Sequence, residues 1–252
     1  GSASLGTSRG RLEFDHVSFC YPGTSSGVRD VSFCIEPGEF VGIVGPSGGG
    51  KSTIIDLCMR FYEPERGHIL LDGQDIAAVP AHELRSAVGL VAQDLALWNA
   101  PVKENLLYAL RRTMPWDEVV EVCRKVRVDD FVHRLPKGYD TVVGPRGVKL
   151  SGGERQRIAL ARVFLNEPVI ILFDEATAAL DTITEAAVVE AVAVLAATKT
   201  RIVVAHRLAT VVAADRILVI DNGEVVEAGK PSDLLLRGGL YARLYATQEL
   251  AR

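Results

Sequence analysis

The sequence predicts an α/β fold with a mostly parallel sheet, an antiparallel β part ahead of it, and a helical subdomain inserted into it. Three observations point there. Short, continuously apolar runs alternate with helix-period segments, as expected for strands covered on both faces. The first part of the chain instead shows period-two patches and turn signals. Between about residues 99 and 135 the strand signals vanish and helical spacing takes over.

In chain order, "LEFDHVSFCY" (12–21) and "VRDVSFCIEPGE" (28–39) read as antiparallel strands, the second ending at the Pro37-Gly38 turn. "FVGIV" (40–44) is a buried strand, and the run after it places Ile54, Leu57, Cys58 and Phe61 on one helix face. Hairpin signals sit at Asp72-Gly73 and, more strongly, at Asn222-Gly223. In the inserted stretch Val119, Val122, Cys123 and Val126 share a helix face. "VGLVA" (88–92), "VIILF" (169–173) and "RIVVA" (201–205) complete a set of four strand-like runs that each end in a polar or glycine-rich group. Ligands of open parallel sheets bind beyond the carboxyl ends of strands, so four adjacent strands would bring these tips to one site.

Composition narrows the class. At 252 residues, 48% hydrophobic and 24% charged, the chain can bury a sizeable core. The net charge of -4 argues against a nucleic-acid partner. Cys20, Cys34, Cys58 and Cys123 form no CxxC pair and read as reduced core residues, which suits a cytosolic setting. No stretch approaches the ~20 apolar residues of a membrane helix, which predicts a soluble chain, and "GSASLGTSRG" (1–10) reads as a linker or expression scar.

The strand tips carry the chemistry. "GPSGGGKS" (45–52) fits the phosphate-loop pattern GxxxxGK[ST] between a strand and a helix. The backbone of Gly45, Ser47, Gly48 and Gly50 would wrap phosphates, Lys51 would reach the β- and γ-phosphates, and Ser52 would hold Mg²⁺. Asp174, a carboxylate ending an apolar strand, is matched to the same Mg²⁺. Glu175 is placed to polarise an attacking water, or else is an exposed acid at a strand end. His206 is placed to hydrogen-bond the γ-phosphate, or else is a structural histidine. Gln93 would sense metal or water, or is a plain loop glutamine; Tyr21 is an adenine-stacking ring or a core-edge tyrosine. "LSGGERQR" (150–157) is a second donor-rich turn opening a helix.

Together these motifs resemble the ATP-binding cassette (ABC) transporter nucleotide-binding domain over about residues 11–248. The resemblance rests on Tyr21, the loop at 45–53, Gln93, "LSGGE" (150–154), "VIILFDE" (169–175), "ALD" (179–181) and His206, in the family's order. It implies a P-loop NTPase with a RecA-like core at about 11–92 and 158–248, and a helical signature subdomain at about 93–157. It also implies ATP and Mg²⁺ as ligands, with Thr53 supporting the α-phosphate, and head-to-tail dimerisation with an identical or different second domain. Ser151, Gly152 and Gly153 of one subunit would then grip ATP held by the other's phosphate loop, and Asp181 would cross the interface.

"SAVGLVAQDLALWNAPVKENLLY" and "LPKGYDTVVGPRG" resemble exporters whose membrane and ATPase domains share one polypeptide, which implies a place on the cytoplasmic face of a membrane. Val142 and Pro145 stand where many such exporters carry glutamates, Trp98 where phenylalanine is commoner, and Gly49 where serine or alanine is. None touches the catalytic set, so hydrolysis is expected. Cassette ATPases of DNA repair, chromosome organisation or translation usually carry a coiled-coil insertion or two cassettes, and neither is present here. A regulatory cassette without turnover is disfavoured by Glu175 and His206 both being present.

Overall fold

The computed structural model describes residues 5–6, 8–92, 97–108, 110, 112–174 and 192–250. They form two units, the first made of Gly1–Leu90, Val169–Glu175 and Lys199–Arg252, the second of Val91–Pro168 and Ala176–Thr198.

In the first unit, strands β1 (Leu12–Cys20) and β2 (Gly27–Ile35) pair antiparallel, as do β1 and β4 (Arg66–Leu71), in a four-stranded sheet ordered β2-β1-β4-β5, where β5 is Gln74–Asp75. A six-stranded sheet runs β10-β9-β3-β8-β7-β6. Its members are β3 (Phe40–Val44), β6 (Val88–Val91), β7 (Ile170–Asp174), β8 (Thr200–Val204), β9 (Arg216–Asp221) and β10 (Glu224–Gly229). β3 pairs parallel with β8 and β9, and β7 with β8; β9 and β10 form an antiparallel hairpin. The four apolar runs are therefore neighbours, as their sequences predict.

Strand alternation splits the core in two. Val41 and Ile43 of β3, with Leu218 and Ile220 of β9, pack with the antiparallel sheet and with Ile54 and Leu57 of helix α1 (Lys51–Cys58). Val44, Ile217 and Val219 face the other way, onto Leu208, Val211, Leu234 and Tyr241. Both faces of the parallel sheet are thus covered, which is why its strands read as unbroken apolar runs.

Both hairpin signals hold. Asp72-Gly73 and Asn222-Gly223 turn with φ of 51° and 81°, and 50° and 81°, the positive pairs of a type I′ turn. Asp72 does more than turn. Its carboxylate accepts from Ser8 Oγ and from the amides of Arg9 (2.8 Å), Gly10 (3.2 Å) and Arg11 (2.9 Å). Burial alone would raise its pKa, but these hydrogen bonds outweigh that and hold it below its ordinary value. The Gly10 carbonyl in turn accepts from the buried Thr200 hydroxyl at 2.7 Å. Residues 8–10, which the sequence suggests are linker, are thus tied to the fold.

Two expectations need correction. Helix α1 buries Ile54, Leu57 and Cys58, but Phe61 is 51% exposed. The helix stops at Cys58 because Arg60 turns left-handed (φ 51°), with its amide on Leu57 O and that of Phe61 on Asp56 O, a Schellman closure without glycine. The Arg60 guanidinium offsets the strain by donating to Ile76 O and Val79 O. All four cysteines are free, but only Cys58 and Cys123 are buried; Cys20 and Cys34 lie at strand positions that alternation leaves partly open.

The second unit is helical among its described residues. It contains α3 (Val102–Leu107), α4 (Trp116–Lys125), α5 (Asp129–Val132) and α6 (Gly152–Leu165); α2 (Ala81–Ala87) belongs to the first unit. α4 buries Val119 and Cys123, and Val126 follows at its end, as the spacing predicts, while Val122 is only half-buried. Arg157 of α6 lies 4.9 Å over the Phe131 ring and donates to Arg127 O. No described helix is long and apolar enough to cross a membrane.

Candidate functional site

The phosphate loop leaves β3 at Gly45 and enters α1 at Gly50, the N-cap, with φ 106° and ψ 5°. Two glycines there are dictated by contact. A Cβ on Gly45 (φ 150°) would collide with the Ile220 carbonyl oxygen, and one on Gly50 would stand 2.7 Å from Gly27 O. Gly45→Ala is therefore expected to lose about 2–4 kcal/mol of stability, because neither backbone can yield. A wild-type urea midpoint for that variant would show the loop to be laxer than this packing implies. Ser47, Gly48 and Ser52 are exposed at the loop's mouth, whereas Thr53 is buried. Lys51 is also buried (5% exposed), and its Nζ donates to Gly45 O (2.9 Å) and Pro46 O (2.7 Å).

Across the sheet, Ile43 pairs with Val204, and Val204 with Asp174. Asp174 thus ends β7 level with Val204, while Gly45 and His206 each leave the sheet two residues beyond that row. The Ala205 amide still bonds Ile43 O at 3.0 Å, so β3 and β8 stay in step to their ends. Two inter-strand spacings, about 10 Å, separate the β3 and β7 axes. Loop, carboxylate and exposed imidazole therefore meet at one edge of the first unit. Gln93, Glu175 and Asp181 lie outside the described residues.

Tyr21 follows β1 and is tied to the helix behind the loop. Its hydroxyl donates to Asp56 Oδ2 at 2.5 Å, and its ring meets Phe19 and Tyr62 edge-on at 5.0 and 5.1 Å. Burial, then the Asp56 hydrogen bond, pushes its pKa up to about 12, so the ring stays neutral. The arrangement anchors the ring at the core's edge and suits either reading made from sequence.

In the second unit, Ser151 caps α6. Its Oγ accepts from the Glu154 amide (3.2 Å), and Glu154 Oε2 accepts from the Ser151 amide (2.8 Å), a reciprocal capping box. The box occupies the amides at its two ends. None of the described hydrogen bonds uses those of Gly152 and Gly153, and the Ser151 hydroxyl keeps its proton to donate. Adjacent amides and a hydroxyl thus stand at the positive end of a 14-residue helix, the kind of donor set that favours negative charge.

Sequence reading missed Asn105 and Arg162. Asn105 is fully buried: Oδ1 accepts from the Trp98 amide (2.9 Å) and Arg162 Nη2 (2.6 Å), while Nδ2 donates to Trp98 O, Ala100 O and Pro101 O. Arg162 Nε adds a bond to Asn105 O at 2.6 Å, joining α6 to segment 98–101. Burial draws the Arg162 guanidinium below the usual arginine range. The one available signal was an asparagine inside the short helix VKENLL, where its side chain competes with the backbone. Asn105→Ala should cost ~3 kcal/mol, because it strands a buried amide and takes an acceptor from a buried guanidinium; a loss below ~1 kcal/mol in a urea titration would deny the hub. Of the departures noted in the sequence, Trp98 is 57% exposed against Tyr108 (centroids 5.2 Å apart), and Val142 bridges to Pro101.

The chain is similar to known proteins along most of its length. A family model described as ABC transporter matches residues 28–178. An ATP-binding/permease protein of Staphylococcus aureus strain COL, named for multidrug export, is 47% identical over 251 residues, which are 99% of this chain and 43% of that protein. Its counterpart in the bovine strain RF122 / ET3-1 is 46% identical with the same coverage. Among solved structures, a bacterial Atm1-family ABC exporter with ATP bound superposes with a TM-score of 0.93 at 46% identity, over 98% of this chain and 43% of that one. The chain thus spans less than half the length of these relatives.

Proposed function

Since this chain belongs to the ABC transporter family, we propose that it is the ATP-binding and ATP-hydrolysing domain of an exporter, driven by head-to-tail pairing of two such domains. The observation that carries this reading is the meeting of the Gly45–Ser52 loop, Asp174 and His206 at one sheet edge, set by the order β3-β8-β7. The relatives' fusion of ATP-binding and permease parts supports a membrane-spanning partner in the same polypeptide, with this domain on its cytoplasmic face.

The residues fit the ligands. The loop's glycines bring the backbone close to phosphates, and α1 points its N-terminus at them. For Mg²⁺, Ser52 and Asp174 offer hard oxygens, and Gln93 a third. Hard oxygens suit Mg²⁺, which commonly keeps water and phosphate oxygens in its remaining positions. Bound there, Mg²⁺ would neutralise charge on the β- and γ-phosphates. Lys51 would turn its ammonium from the loop carbonyls to the phosphates, Glu175 would orient and deprotonate the attacking water, and His206 would donate to the γ-phosphate. Tyr21 would stack the adenine, Thr53 would support the α-phosphate, and Ser151, Gly152 and Gly153, with Asp181, would act from the second domain.

Calorimetric titration tests the first step. The chain should bind ATP with Mg²⁺, and Lys51→Ala should weaken binding ~10-fold or more, since it removes a charged hydrogen bond to phosphate. Equal affinity in the variant would place the nucleotide elsewhere.

A further inference from the structure

The helix Leu240–Leu250 of the first unit reaches back to the end of β8. There the Gln248 carboxamide makes two bonds to backbone: Nε2 donates to His206 O at 2.5 Å, and Oε1 accepts from the Leu208 amide at 2.8 Å. A carboxamide carries donor and acceptor side by side, as a peptide group does, so it continues the pairing where the sheet has ended. Only this orientation works, because a flipped amide would set donor against donor and acceptor against acceptor.

The helix is itself fixed. The Glu227 carboxylate on β10 accepts from the Leu240 and Tyr241 amides, and Tyr241 is fully buried in the cluster that also holds Leu208 and Val211. The last sheet bond on this side is that of the Ala205 amide. Beyond it the backbone of residues 206–208 is gripped from the core by Leu208 and from the side by Gln248.

We propose that Gln248 is a positioning residue for the ATPase site: its carboxamide fixes the backbone on both sides of Arg207 and so sets where the His206 imidazole projects. This rests on the reading of His206 as a γ-phosphate ligand. Gln248 does not touch nucleotide and acts through the His206 main chain. A displacement of ~1 Å at such a group can cost ~10²-fold in rate, so a two-bond clamp is well matched to the task.

Gln248→Met keeps the side chain's length and stem but cannot pair. Its kcat for ATP is expected to fall roughly tenfold while KM stays within about twofold. Hydrogen exchange at the Leu208 amide should quicken, and the global unfolding midpoint should hold. In a His206→Ala background the same substitution should have no further effect on turnover, because the clamp has nothing left to aim. An equal additional loss in that background, or unchanged Leu208 exchange in the single variant, would overturn the proposal. Wild-type turnover in His206→Ala alone would remove the γ-phosphate reading and this proposal with it. That failure is distinguishable, because Leu208 exchange would still change with no catalytic counterpart.

Discussion

Glu175→Gln is expected to leave ATP binding intact and slow hydrolysis by ~10²-fold or more. Glutamine keeps the size and hydrogen-bonding reach of glutamate but cannot take a proton from water. The phosphate loop, Lys51 and Asp174 are untouched by the change, so the ground-state contacts to nucleotide persist. Because hydrolysis is what would reopen a closed pair, blocking it should trap the dimer. Size-exclusion chromatography with ATP and Mg²⁺ should then show twice the monomer mass. A variant that remains monomeric and turns over normally would remove Glu175 from the mechanism.

Ser151→Arg separates action within a chain from action between chains. The substitution removes the half of the capping box in which Ser151 Oγ accepts from the Glu154 amide, worth about 1 kcal/mol to helix α6, and puts a long cation where an anion is expected to dock. If the turn serves a second molecule, affinity of the monomer for ATP stays near wild type while turnover falls. Mixing gives the sharper readout. Equal amounts of Ser151→Arg and Lys51→Ala chains, each inactive alone, form mixed pairs in which one composite site has both an intact lysine and an intact serine. Random pairing should restore roughly a quarter of wild-type activity. No recovery on mixing, together with lost affinity in the Ser151→Arg monomer, would place the turn on its own chain's nucleotide.

Much of this site was legible because it is local or periodic. The phosphate loop is a contiguous pattern, the hairpins are written in two residues each, and strand adjacency follows from apolar runs that need cover on both faces. What escaped is held by individual side-chain bonds rather than by a repeating pattern. Asn105 ties segment 98–101 to α6, and Gln248 reaches residues 206 and 208 some forty positions away. Such bonds leave no period to read. Phe61 was misplaced for a related reason: the helix ends at an arginine held left-handed by remote carbonyls, with no glycine or proline to announce the stop.

The carboxylate of Asp72 has a mechanical consequence. It holds the main chain of residues 9–11 by three amides and Ser8 by its hydroxyl, and within that segment the Gly10 carbonyl is pinned to Thr200. A pull arriving along the chain from before Ser8 would meet the hydrogen bonds of this one carboxylate. It would reach the base of β8, the strand whose opposite end carries His206. Traction on the N-terminal segment and the placement of the imidazole would then share a single rod.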